Sequence, residues 1–270
     1  MPTATFRIWR GAGEGAFHDY ATEVAEGMVV LDAVHRIQAE QAPDLACRWN
    51  CKAGKCGSCS AEINGKPRLM CMTRLNTIPL DVPVTIEPMR AFPPIRDLVT
   101  DVSWNYRVKQ RIAPFTPRPP DAPDGTWRMA QQDVDRVQEF RKCIECFLCQ
   151  DVCHVLREHQ LFDRFIGPRF LVHVAALEMH PLDVADRVEE LKEAFGVGYC
   201  NITKCCTNVC PEHITITDNA IIPLKERVVD RFYDPLRRLL DALRRRERRP
   251  AHAQPEAAVG RGDPRRTGES

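Results

Sequence analysis

Thirteen cysteines, eleven of them in three ordered groups, are the residues of this 270-residue chain whose type and spacing can do chemistry. Residues 143–153 (CIECFLCQDVC) set Cys143, Cys146, Cys149 and Cys153 at C-x2-C-x2-C-x3-C, and residues 200–210 repeat those steps with Cys200, Cys206 and Cys210. Thr203 stands where the second cysteine of the repeat belongs. Thiolates are soft ligands, and a run with these steps holds an iron–sulfur cluster through its first three cysteines while lending the fourth to a second cluster. Applied to the two runs together, this crossover assigns Cys143, Cys146, Cys149 and Cys210 to a four-thiolate 4Fe–4S cluster. Cys153, Cys200 and Cys206 form a three-thiolate site with Thr203 at the vacant corner, which suits 3Fe–4S. Cys205 sits two residues from that corner and could in principle ligate a fourth iron, but its neighbour Cys206 already points at the cluster, which favours leaving Cys205 out.

The third group, Cys51, Cys56, Cys59 and Cys71, reads C-x4-C-x2-C-x11-C, and its first three members carry the plant-type 2Fe–2S spacing. Such a loop needs small residues so that backbone N–H groups can converge on the sulfurs, and Gly54, Gly57 and Ser58 provide them. Asn64-Gly65 is a hairpin signal that sets Cys71 back against the loop. A zinc site is the competing reading, disfavoured because zinc patterns pair short C-x2-4-C units. Cys47 is expected to be a small buried apolar residue. The N-terminal residues look strand-like and lack an apolar signal-peptide core, so these tight spacings favour metal or redox sites over disulfides. No apolar run approaches the roughly 18–20 residues that span a bilayer.

The elements that must position these groups are legible in part. Residues 5–10 and 16–24 alternate as two strands of a hairpin around a Gly-rich turn. Residues 28–41 are predicted helical, with Val30, Leu31, Val34 and Ile37 on one face, and His35 beside that face is read as structural. Residues 82–87 form a further strand and 91–94 a hinge, and the periodicity of 95–112 predicts a helix. Residues 114–125 contain five prolines and are read as an ordered surface loop, with a disordered linker as the alternative. Beyond them the chain is predicted helical: residues 132–140, a helix starting at Gly167-Pro168, residues 184–195, and 218–233 with Pro223 near its start. The fold class is therefore α+β. A β-grasp 2Fe–2S domain of the plant ferredoxin kind (1–105) precedes an all-α two-cluster, bacterial ferredoxin-like domain (106–234) and a basic, disordered tail (235–270).

Three clusters in one chain have no evident use except to move electrons singly. No G-x-G-x-x-G or P-loop is present, so the substrate chemistry is expected on partners and not in this chain. At this point the residues resemble the iron–sulfur subunit of succinate dehydrogenase and fumarate reductase. The likeness spans roughly residues 1–230 and includes CxxGxCGSC (51–59), IRDLVTD (95–101), CIECFLCQDVC, the IGP helix start (166–168) and CCTNVCP. The resemblance implies a flavoprotein subunit carrying FAD and membrane-anchor subunits with quinone near the 3Fe–4S cluster. It also implies peripheral attachment at the cytoplasmic face of the inner (cell) membrane. Electrons would pass between FAD and quinone through 2Fe–2S, 4Fe–4S and 3Fe–4S, in either direction.

The sequence departs from that family where quinone is expected. His154 follows Cys153 in place of proline, Glu158 falls where many members have tryptophan, and Asn201 follows Cys200 in place of histidine. His154 and Asn201 are the quinone-proximal candidates. From residue 236 onward ten Arg face five Asp/Glu; this tail is read as solvated, with attraction to anionic headgroups as the sharper alternative. Nucleic-acid binding has no supporting motif.

Overall fold

The computed structural model describes residues 2–236. Strands β1 (Thr3–Ala12) and β2 (Glu14–Glu23) form an antiparallel hairpin in which Ala12 faces Glu14 across Gly13. Every second residue of β1 from Ala4 to Ile8 is buried, the period of a strand with one face on the core. Helix α1 (Val30–Glu40) buries Val30, Leu31, Ala33, Val34 and Ile37, and Asp32 Oδ2 accepts the Val29 N–H at 3.1 Å to close its first turn. Strands β3 (Ser60–Ile63) and β4 (Lys66–Leu69) turn through Asn64 and Gly65, both left-handed, and β5 (Val84–Glu87) completes the sheet. The strand order is β2-β1-β5-β3-β4, with β5 parallel to β1. A parallel pair demands a crossover, and α1 with the cysteine loop supplies it. This is the β-grasp arrangement.

The single helix expected over 95–112 is not formed. Strands β6 (Pro94–Arg96) and β7 (Val99–Thr100) make a small hairpin before α2 (Ser103–Arg111). The cause is Asp97, which is left-handed and 2% exposed. Its carboxylate accepts the Gly11 and Ala46 N–H groups at 2.9 and 2.7 Å and pairs with Arg10 Nε at 3.1 Å. One buried carboxylate that needs these partners outweighs helical periodicity.

The helical half contains α3 (Gln131–Gln138), α4 (Leu148–Asp151), α5 (His154–Arg157), α6 (Gly167–Glu178), α7 (Val188–Glu193), α8 (Cys205–Asn208) and α9 (Ile222–Phe232). Pro168 sits in the first turn of α6, as predicted. Pro223 is the second residue of α9, where its missing N–H leaves no gap, and a π-helical turn (Ile216–Ile221) leads into it. Helix α7 is shorter than the expected 184–195, because residues just before it pair with the proline-rich segment. Val184 N–H donates to Thr116 O at 2.9 Å and Arg118 N–H to Leu182 O at 2.9 Å. That segment is an ordered loop. Its anchor is Arg187, fully buried, with Nε on Ala113 O at 2.9 Å and Nη2 on Pro114 O at 2.7 Å and on Asp183 at 2.9 Å. The basic tail lies outside the described residues, apart from Pro235 and Leu236.

The strand-rich half meets the helical half along β3. Glu62, fully buried, pairs with Arg157 at 3.1 Å and Arg90 at 3.3 Å. Beside it Asp151 accepts the Ala91 N–H at 2.9 Å, and burial pushes both carboxyls up, Asp151 to about 7. Replacing Arg187 with Met strands Asp183 and two backbone carbonyls, so Arg187→Met is expected to cost about 3–5 kcal/mol. Thermal unfolding of the purified protein checks this, and an unchanged midpoint would show that the anchor is dispensable.

Candidate metal centres

The 51–59 loop owes its shape to three exceptions to ordinary backbone: Lys52, Gly54 and Gly57 are all left-handed. Folding back in this way aims the Ala53 and Lys55 N–H groups at Cys51 Sγ, at 3.4 and 3.3 Å. The four thiols fall into two interacting pairs, Cys51 with Cys56 and Cys59 with Cys71. Two thiols per iron is the donor set of a 2Fe–2S cluster. Burial raises the Cys56 thiol, but hydrogen bonds from Cys51 and Ser58 outweigh it and bring it down to about 7. Burial dominates at Cys59 and pushes it up to about 12. Cys47 stands apart from this set and is half-buried, not fully buried, with its thiol pushed up to about 12. His35 packs its ring edge-on to Trp49 at 4.9 Å.

Two small cavities in the helical half each draw cysteines from both runs. The first, about 20 Å³, is lined by Cys143, Cys146, Cys149 and Cys210. Glu145 and Phe147 are left-handed, so the chain wraps around the cavity between the first and third cysteines. Burial pushes Cys146 up to about 12 and Cys149 further still, because a thiolate alone is unfavourable there. A cation among the sulfurs removes that obstacle, and metal binding to such thiols releases their protons. Arg169 shares this wall, and its buried Nε has no partner in the protein. The donor set and the orphaned donor both fit an anionic thiolate-bound cluster.

The second cavity, also about 20 Å³, is lined by Cys153, Cys200, Cys206, Thr203 and Cys205. Ile202 and Lys204 are left-handed here, repeating the wrap of the first run. Burial pushes Cys153 up to about 12 and Cys206 to about 11. Thr203 Oγ1 donates to Cys205 Sγ at 3.2 Å, and Cys205 also lines the adjoining surface groove. His154 and Asn201 both line this cavity, whereas Glu158 is exposed and paired with Arg157 at 3.2 Å. Sequence reasoning missed Thr217, whose hydroxyl lies 3.5 Å from Cys206 Sγ, and Lys225, whose Nζ donates to Cys200 O at 2.5 Å. The only signal for either is Pro223, which marks an irregular entry into α9.

The cysteine loop of the strand half packs against Cys146, a residue of the first cavity's wall. A Cβ on Gly57 would lie 2.6 Å from Cys146 Cα. Ser60 Oγ donates to Cys146 O at 2.9 Å, and Lys55 Nζ pairs with Glu212, two residues after Cys210, at 2.8 Å. Two cluster-type loops are therefore in backbone contact.

Residues 5–106 match the 2Fe-2S iron-sulfur cluster binding domain family, and residues 139–214 match the 4Fe-4S dicluster domain family. The chain is 34% identical over 202 residues to the fumarate reductase iron-sulfur subunit of Mycobacterium tuberculosis (strain CDC 1551 / Oshkosh), covering 73% of this chain and 80% of that protein. It is 31% identical over 208 residues to the succinate dehydrogenase iron-sulfur subunit of Paracoccus denitrificans, covering 76% and 78%. Among solved structures, a chain of the Mycobacterium smegmatis Sdh1 complex in the apo form is 64% identical, with a TM-score of 0.83, covering 87% of this chain and 98% of that one.

Gly57→Ala is expected to force the two loops apart, since the new methyl meets backbone and the φ of +70° is left-handed. The cost should be about 2 kcal/mol or more. It should appear as a lower unfolding temperature together with less iron per chain, and wild-type values of both would refute the contact.

Proposed function

This chain belongs to the iron–sulfur subunits of the succinate dehydrogenase and fumarate reductase family, and we propose the cluster ligation and partners through which it transfers electrons. When bound, a 2Fe–2S cluster on Cys51, Cys56, Cys59 and Cys71, a 4Fe–4S cluster on Cys143, Cys146, Cys149 and Cys210, and a 3Fe–4S cluster on Cys153, Cys200 and Cys206 supply one-electron carriers between FAD of a flavoprotein subunit and membrane quinone. The observation that carries this reading is the exchange of cysteines between the two cavities: Cys210 lines the first and Cys153 the second. The residues of the chain do the rest. The Gly57–Cys146 contact holds the 2Fe–2S and 4Fe–4S carriers close, and the apolar packing around Cys149 and Cys206 excludes water from the 4Fe–4S and 3Fe–4S carriers.

Thr203 supports the three-iron assignment, because it presents a hydroxyl where a fourth thiol would stand and directs that hydroxyl to Cys205. His154 and Asn201, on the second cavity's wall, are the residues proposed to lie nearest quinone. Tyr199 and Ile202, exposed on either side of Cys200 and Asn201, offer apolar surface to a membrane anchor. Among the described residues no helix is long and apolar enough to cross a membrane. Peripheral attachment through anchor subunits, at the cytoplasmic face of the inner (cell) membrane, is part of this proposal, as is the division of the chain at about residues 105 and 234.

Purification of the native complex tests it. A flavin-containing partner should co-purify, and the complex should couple succinate oxidation or fumarate reduction to quinone; recovery of the chain without a flavoprotein would remove the reading. EPR of the oxidised complex should show a 3Fe–4S signal. Thr203→Cys should convert that signal toward 4Fe–4S and lower the midpoint potential, and an unchanged spectrum would count against the assigned corner.

A further inference from the structure

We propose that Arg169 sets the reduction potential of the cluster in the first cavity, raising it by presenting a fixed positive charge and a free N–H to that cluster. The proposal rests on the ligation by Cys143, Cys146, Cys149 and Cys210 given above.

Arg169 is 5% exposed and shares the cavity wall with those four cysteines. Its Nη2 donates to Glu145 Oε1 at 2.6 Å, and Lys109 Nζ reaches the same oxygen at 2.5 Å. Two cations therefore share one carboxylate, and Glu212, the other carboxylate lining the cavity, is matched by Lys55 Nζ at 2.8 Å, so a net positive charge remains beside the cavity. The Arg169 Nε is buried with no hydrogen-bond partner in the protein. A charged donor left unpaired in an interior is unfavourable, so its retention calls for an acceptor that the polypeptide itself does not supply. A cluster sulfur is such an acceptor, and the cavity the side chain lines is where one would be held.

The surrounding structure fixes this placement. Arg169 is the third residue of α6, and its own N–H donates to Gln150 Oε1 at 3.2 Å. Gln150 follows Cys149, is fully buried, and donates through Nε2 to Ile166 O at 3.1 Å and Asn105 Oδ1 at 3.3 Å. Gly167, with φ +80°, makes room for it, since a Cβ there would stand 2.1 Å from Gln150 Oε1. The residue beside a cysteine ligand thus sets the start of the helix that carries Arg169.

A cluster on four thiolates is anionic and gains one more negative charge when it accepts an electron. Net charge and hydrogen bonds to sulfur are among the factors that set its potential. A nearby cation and an N–H donor stabilise the reduced form more than the oxidised one, so the potential rises.

The test is an EPR-monitored potentiometric titration of the native complex carrying Arg169→Gln or Arg169→Lys. In Arg169→Gln the reduction equilibrium of the 4Fe–4S cluster should weaken about tenfold, ~59 mV for a one-electron couple. The 2Fe–2S and 3Fe–4S midpoints should stay in place. Arg169→Lys should recover part of the shift, since it keeps the charge without the planar fork. A wild-type 4Fe–4S midpoint in Arg169→Gln at full iron content overturns the proposal. Should that variant lose the cluster, Glu145→Gln removes the offsetting carboxylate and should raise the midpoint; no rise overturns the proposal equally. A wild-type complex without three distinct clusters would instead refute the ligation on which the proposal stands.

Discussion

The approach of Gly57 to the Cys146 backbone is the constraint on which the architecture depends. Residues from two different folds, a strand-rich half and a helical half, come closer there than any side chain would permit. Everything else along the boundary holds that contact in place. Ser60 bonds the carbonyl of the same cysteine, Lys55 reaches Glu212, and Glu62 draws Arg157 and Arg90 onto β3. Breaking a buried pair of this kind leaves an uncompensated charge, so the boundary resists sliding. For a chain that transfers electrons, a fixed separation between carriers is the functional property, and the buried ion pairs serve it.

Inside the helical half the same economy appears in the backbone. Glu145, Phe147, Ile202 and Lys204 all adopt left-handed conformations without being glycine, and they occur at matching places in the two runs. Such conformations are strained in ordinary loops and persist where the surroundings determine them. Here they turn successive cysteines inward around a cavity.

The α+β class, the β-grasp half and the composition of both cavities are legible in the cysteine spacing. Asn64-Gly65 and Gly167-Pro168 are equally plain, because each is a local conformational demand written in adjacent residues. Asp97 is not, since its partners Gly11 and Ala46 lie far away in sequence and the surrounding periodicity still looks helical. The shortening of α7 is hidden for the same reason: Arg187 reads as an exposed helical residue until the proline-rich segment is folded against it. Arg169 looks like an ordinary residue in the first turn of a helix. Only the burial of its Nε in the wall of a thiol-lined cavity gives it a role.

The exchange of cysteines between the runs also has a topological consequence. Under the proposed ligation, joining Cys153 to Cys200 closes an inner ring of chain, and joining Cys149 to Cys210 closes an outer ring around it. The rings are concentric, so once one is closed only a few residues separate the ends that must meet for the other. Loop-closure entropy grows with the length of chain to be closed, and nearly all of that length is shared. The first closure therefore bears the entropy of both. With that ligation the helical half would acquire its two clusters as a single cooperative event, with α5, α6 and α7 enclosed within the rings.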